Sequence, residues 1–301
     1  MRLSLLLGAL GVLVAACSGA DKEGESSSSS SGENASSSSG FAGASSSGGE
    51  NTSSSGGASG GMASGGVTSS GGSSGPGLDP QTCPHTADEQ GFFSLQSGSG
   101  DYFVRLPVGY DGSRAAPLFV ALKGCFDNAQ NFATWAGAPY DVRATQDYVA
   151  ISVGGRDGEC WTAADTALVN AAITHVQTCF AIDPKKIVIG GYDAGGLLAF
   201  RMGFAEANRF AGILVEHASL SAAVGAGKVD ETLNAAAWKL NVAIVAGRQD
   251  EYYGIDVVRA DVGKMQTAGF PVQLEETDDA HGGETRDWVS LIGKSRGWTT
   301  P

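Results

Sequence analysis

The chain has 301 residues, a formal net charge of −13, 45 glycines and five cysteines. The acidic balance and the lack of any basic run argue against nucleic acid as a partner. The length beyond residue 78 is enough for one domain with a sizeable core.

Met1 and Arg2 precede an apolar run at 5–16. One positive charge followed by a segment too short to cross a bilayer predicts an export signal. The run ends in Leu13-Val14-Ala15-Ala16-Cys17-Ser18, which resembles a bacterial lipobox. Cleavage there leaves Cys17 as a lipid-modified N-terminus, so 1–17 is signal and anchor. Ser18 rather than aspartate in the next position favours the outer membrane, which places the protein in the cell envelope or outside the cell. Residues 18–77 are mostly Ser, Gly and Ala, with Phe41 and Met62 nearly the only large apolar side chains. Such a segment cannot bury enough surface to offset its ordering entropy, and a disordered tether is expected. As a Gly/Ser coil it would span roughly 40 Å.

The folded domain is expected over 78–301. Strands are predicted at 92–96 and 102–108, joined as a hairpin by Ser97-Gly98-Ser99-Gly100. The apolar run PLFVALK at 117–123 is a third strand and ends in Gly124-Cys125. A helix at 128–145, a strand at 148–153 and a helix at 162–180 follow, the last with Leu168, Ala172, His175 and Cys179 on one stripe. Ile187, Val188 and Ile189 form a β-branched strand, and after Asp193 the residues Ala194, Leu197, Leu198, Ala199 and Phe200 read as a helix. Strands at 211–216, 242–246 and 272–275 and helices at 255–268 and 284–294 complete the pattern. An antiparallel start followed by alternating strand and helix predicts an α/β domain, a doubly wound, mostly parallel sheet with helices on both faces. Functional residues then belong at the carboxyl edge of the sheet.

Apart from Cys17 the cysteines are Cys83, Cys125, Cys160 and Cys179. An even number in an exported protein predicts two disulfides. Cys125 and Cys160 both follow strands at the carboxyl edge, whereas Cys179 ends a helix on the opposite side, near the incoming N-terminal arm. Bonded cysteines need Cα atoms within about 7 Å, so the expected pairs are Cys125–Cys160 and Cys83–Cys179. No C-x-x-C or H-x-x-x-H spacing marks a metal site. Gly190-Gly191-x-x-x-Gly195-Gly196 lacks the lysine of a phosphate loop. No metal and no cofactor are expected.

Gly191-Tyr192-Asp193-Ala194-Gly195 has the G-x-S-x-G spacing of a nucleophile elbow, with aspartate at the centre. Further segments occur in a telling order: Leu106-Pro107-x-Gly109-Tyr110-Asp111, then 117–125, Cys160-Trp161, Ile182-Asp183-Pro184-Lys185-Lys186-Ile187, and the elbow. In this order they resemble the poly(3-hydroxybutyrate) depolymerase and feruloyl esterase group of α/β-hydrolases, well over 102–220 and loosely beyond. The resemblance implies an α/β-hydrolase fold and a secreted carboxylic-ester hydrolase with a Ser, Asp, His triad. It places Asp250, after the strand at 242–246, as the triad acid and His281, in a glycine-flanked loop, as the base. It places Lys123, Cys125 and Ala194 in the oxyanion region. Two positions depart from the family: Asp193 replaces the nucleophile serine, and Lys123 replaces the histidine of an H-G-C segment.

The other histidines compete with His281. His85 reads as surface, His175 as a core histidine on an apolar stripe, and His217 ends a strand at the active edge. Trp161, Tyr252 and Tyr253 read equally as groove lining or packing. A carboxylate attacking an ester carbonyl would form a mixed anhydride while expelling an alkoxide, which is uphill, so the usual esterase route is disfavoured. Three functions remain: an ester hydrolase acting on an extracellular ester-linked polymer or small ester, an inactive binding protein on the same scaffold, or a hydrolase using Asp193 to attack alkyl halides or epoxides. A Lys123–Asp193 ion pair is expected as a coupled replacement, against a Lys123 that reaches outward to Asp127 or solvent.

Overall fold

The computed structural model describes residues 83–138, 145–155, 159–282 and 288–301. The signal segment, Cys17 and the tether lie outside the described residues, as do parts of the expected helices at 128–145 and 284–294. Eight strands form one sheet: β1 Phe92–Gln96, β2 Asp101–Arg105, β3 Ala116–Leu122, β4 Val149–Val153, β5 Ile182–Tyr192, β6 Gly212–Glu216, β7 Asn241–Gly247 and β8 Val272–Thr277. Their order is β1-β2-β4-β3-β5-β6-β7-β8. The β1–β2 and β2–β4 pairs are antiparallel and every other pair is parallel. The helices are α1 Ala129–Phe132, α2 Thr166–Cys179, α3 Ala194–Ala205, α4 Leu220–Val224, α5 Val229–Ala235, α6 Ile255–Thr267 and α7 Trp288–Lys294.

The alternation of side chains along a strand divides the core in two. From β3, Leu118, Val120 and Leu122 join Val169, Ile173 and Val176 of α2 and Leu198 of α3 on one face. Phe119 and Ala121 point the other way, toward Phe132 of α1 and Trp288 and Leu291 of α7. The β7 strand repeats this, with Val242, Ile244 and Ala246 on the first face and Ala243 and Val245 on the second. Both faces are covered, which is why the strands read as unbroken apolar runs.

Two elements depart from expectation for local reasons. The described part of the helix expected at 128–145 holds the single turn of α1, capped by Asn128 Oδ1 accepting from the Asn131 amide at 2.9 Å, and then one π turn at Ala133–Gly137. Ala138 leaves helical geometry (φ −154°, ψ 84°) because residue 139 is proline, which disfavours the α region in the residue before it. The second strand ends at Arg105 rather than at 108, since Pro107 has no amide to donate to a ladder. Disulfides join Cys83 to Cys179 and Cys125 to Cys160, with Cα separations of 5.5 and 4.3 Å.

The contact that positions the site is between the start of α3 and the end of β3. A Cβ on Gly195 would lie 2.1 Å from the Leu122 carbonyl oxygen and 2.4 Å from that of Lys123. A Cβ on Gly191 would lie 2.4 Å from the Gly195 carbonyl carbon. Strand, turn and helix therefore pass within backbone contact, and the residue between them is lifted clear. Helix propensity alone predicts that Gly195→Ala stabilises by about 1 kcal/mol. The backbone collision predicts the opposite sign, a loss of roughly 1–3 kcal/mol. Urea denaturation of the variant distinguishes the two.

Candidate active site

Asp193 sits at the apex of the β5–α3 turn with φ 52° and ψ −123°. A positive φ on a residue with a Cβ costs of order 1–3 kcal/mol and persists only where the surroundings enforce it. Here the Asp193 amide donates to the Glu216 carbonyl of β6 at 3.1 Å, and the Leu197 amide donates back to the Asp193 carbonyl at 3.0 Å. The carboxylate projects over the carboxyl edge and is shared among several donors. Its Oδ2 accepts from the Cys125 amide at 3.0 Å, and its Oδ1 accepts from the Tyr253 hydroxyl at 2.9 Å. His281 Nε2 lies 3.6 Å from Oδ1.

Asp250 follows β7 and is buried. Its Oδ1 accepts the amides of Tyr252 and Tyr253, both at 2.9 Å, a local turn in which an aspartate bonds the backbone two and three residues on. Its Oδ2 receives two imidazoles, His217 Nδ1 at 2.8 Å and His281 Nδ1 at 3.1 Å. A carboxylate oxygen only accepts, so each Nδ1 carries a proton. The structure thus brings Asp193, Asp250 and His281 into one chain of contacts, and it adds His217, a competing candidate at the active edge, and Tyr253. His217 is 2% exposed and also has a positive φ of 50°. It directly follows β6, the strand between those that lead to Asp193 and Asp250, and that adjacency is its only sequence signal. Tyr253 was left undecided between groove and core, and it is a donor to Asp193.

Lys123 corrects an expectation. The direct Lys123–Asp193 ion pair does not form, nor does the side chain reach solvent, being 1% exposed. Its ammonium donates to the Glu159 carbonyl at 2.8 Å and lies 5.5 Å from the centroid of the Trp161 ring. The reason is the crowded elbow: the Asp193 carboxylate is met by the Cys125 amide, Tyr253 and His281, and the lysine leaves on the Trp161 side. Trp161 is itself packing, buried with its indole N–H donating to the Lys123 carbonyl at 2.8 Å. Cys125 contributes its amide to Asp193 at 3.0 Å, and the nearby Ala194 amide helps hold the same carboxylate ionised. His85 is exposed and stacks on Phe93, and His175 bonds the Tyr102 hydroxyl at 2.8 Å.

The charges follow from these contacts. Burial opposes ionisation of Asp193, but hydrogen bonds from His281, the Cys125 and Ala194 amides and Tyr253 outweigh it and hold its pKa below the usual carboxylate value. Asp250 is held low in the same way, burial being outweighed by the Tyr253 amide, His217, His281 and the Tyr252 amide. For His281 burial favours the neutral ring, yet the two carboxylates prevail and raise its pKa. Burial and the Asp193 charge push the Tyr253 hydroxyl far up, so it stays a donor. Among the described residues two clusters could hold a metal ion by proximity. One, Cys83, His175 and Cys179, has its sulfurs joined in a disulfide; the other is His217, Asp250 and His281.

No protein-family model matches the chain, and no curated protein matches it in sequence. Solved structures do resemble it. A ferulic acid esterase superposes with a TM-score of 0.52 at 15% identity, over 69% of this chain and 95% of that one. An S-formylglutathione hydrolase from Staphylococcus aureus gives 0.52 at 13% identity, over 68% and 93%. A thermostable esterase gives 0.50 at 16% identity, over 70% of this chain but only 58% of that chain. At such identities the likeness establishes the fold: this is an α/β-hydrolase fold whose structural neighbours include esterases.

A raised pKa means that the charged His281 contributes stability fully present below the ordinary histidine value and lost as pH rises through the folded one. Nitrogen-15 NMR of the ring should therefore find His281 cationic to higher pH than free histidine. In Asp193→Ala its titration point should fall. An unchanged titration point in that variant would contradict the coupling.

Proposed function

We propose that this chain is an exported lipoprotein of the poly(3-hydroxybutyrate) depolymerase and feruloyl esterase type that binds an ester-linked polymer or ester outside the cell without serine-type turnover. The lipid at Cys17 and the tether would hold the domain at the envelope. The observation that carries the reading is where the Asp193 carboxylate lies. Its Oδ2 takes the Cys125 amide, a donor that a serine enzyme would reserve for the oxyanion of the tetrahedral intermediate. Its Oδ1 takes the place facing His281 that a serine Oγ would occupy. One side chain thus fills both positions, and its charge repels any oxyanion formed beside it. It also raises the proton affinity of His281, which works against the neutral ring that a general base needs. Binding has support at the rim, where Phe126 beside Cys125 is 86% exposed and Tyr252 beside His281 is 71% exposed.

A second reading has its own observation. The Tyr253 hydroxyl lies on Asp193 Oδ1, where it could donate to an epoxide oxygen as the carboxylate attacks carbon; water would then open the alkyl ester. This is the carboxylate-nucleophile chemistry of other enzymes with this fold, and it is carried here by analogy alone.

A single substrate panel decides among these. Wild type should hydrolyse p-nitrophenyl acetate and butyrate no faster than buffer and should be retained on polyhydroxybutyrate particles, retention falling in Phe126→Ser/Tyr252→Ser. Asp193→Ser should gain ester turnover, since it frees the donor amide and the histidine together. Ester turnover by wild type that is lost in Asp193→Ala would overturn the reading. Release of halide or diol from short haloalkanes or epoxides, with a mass increment on Asp193, would establish the second.

A further inference from the structure

We propose that His217, Asp250 and His281 form a binding site for a divalent transition-metal ion of the zinc class, held by the two Nδ1 atoms and Asp250 Oδ2. This goes beyond the reading above and does not depend on whether the site turns over an ester. A serine-type triad needs one histidine on its acid. Here two imidazoles from separate chain segments meet the same carboxylate oxygen at 2.8 and 3.1 Å. One ligand atom from each of the three residues lies within 4.8 Å of the other two. Ligands about 2.0–2.1 Å from zinc at roughly right-angled to tetrahedral separations stand about 3 Å apart, so the two Nδ1–Oδ2 distances are already near the spacing an ion imposes. Two imidazole nitrogens and one carboxylate suit a borderline ion such as Zn²⁺ or Co²⁺. Hard ions such as Ca²⁺ prefer an all-oxygen shell.

The surroundings supply a second, independent observation. Metal-ligating histidines almost always donate the other ring N–H to a carboxylate, carbonyl or water, which fixes the ring for ligation. His281 has a carboxylate on that side, Asp193, whose Oδ1 faces its Nε2 at 3.6 Å as an ion-pair contact. Asp250 is oriented likewise, its Oδ1 tied down by two amides so that Oδ2 alone is presented. Around His281 the rings of Tyr192, Tyr252 and Tyr253 lie at centroid distances of 5.4, 4.8 and 5.5 Å and limit water access. In this arrangement the elbow aspartate acts as a positioning residue: it faces the Nε2 proton of His281 while the ion displaces the Nδ1 proton to solvent. The replacement of serine by Asp193 and the presence of His217 then have one cause. No spacing motif announced the site because its ligands come from the ends of β6 and β7 and from the loop after β8.

The test uses the untagged full chain, freed of metal with a chelator and titrated with Zn²⁺ by calorimetry and with Co²⁺ by visible absorption. One ion per chain is expected, with the intense absorption of low-coordinate cobalt. His217→Gln and His281→Gln should each weaken binding at least about tenfold, and His85→Gln should leave it unchanged. If His217→Gln does not fold, His281→Gln decides, because that side chain is partly exposed and closes no core. Failure to take up an ion, or equal affinity in wild type and His281→Gln, would overturn the proposal. In that case the two imidazoles serve only as hydrogen-bond donors to Asp250. Heat and absorption are read without any ester, so this outcome is separable from that of the substrate panel.

Discussion

The contact between the Asp193 carboxylate and the Cys125 amide organises this site. It brings together the positive-φ apex of the elbow and the segment just past the end of β3. The Cys125–Cys160 bond fixes that segment from the other side. A serine at the apex would leave the amide to a substrate oxygen. An aspartate reaches one bond further and takes it. The difference between an open and a self-occupied site is thus the length and charge of one side chain on an unaltered turn.

From that contact the remaining electrostatics follow in sequence. An ionised Asp193 draws His281 toward the cationic form, and Asp250 draws it from the opposite side. Asp250 can serve two histidines because its other oxygen is already satisfied by the backbone of its own turn. Tyr253, which belongs to that turn, closes the ring by donating to Asp193. The result is a buried network in which each carboxylate oxygen has a partner. Low local dielectric strengthens such a network while making any unpaired member costly. Asp250 and His281 therefore have a structural role beside Asp193 whatever the chemistry of the site.

Much of this was legible in the sequence, for identifiable reasons. Continuous apolar runs such as 117–123 reported strands buried on both faces, and glycines at 191 and 195 reported the tight turn between strand and helix. A parallel sheet collects strand ends on one edge, so Asp193, Asp250 and His281 could be expected near one another despite their separation in the chain. What escaped was side-chain direction beyond the ends of strands. Lys123 stands one residue past β3, where pleat alternation no longer governs, and the loop path sends it to Glu159. His217 stands one residue past β6. Its meeting with Asp250 depends on the β6–β7 register, Glu216 opposite Val245, which no local pattern encodes. The departure of Ala138 from helical geometry is readable from the proline that follows it.

The most direct measurement is the proton chemical shift of the Cys125 backbone amide. If the carboxylate of Asp193 occupies that donor, the amide resonance should lie downfield in the wild type and hold its position until pH falls below the ordinary carboxylate range. It should then move upfield in Asp193→Ala with both disulfides intact. An amide shift that is the same in the two proteins would mean that the donor is free, and the account of a self-occupied site would fail.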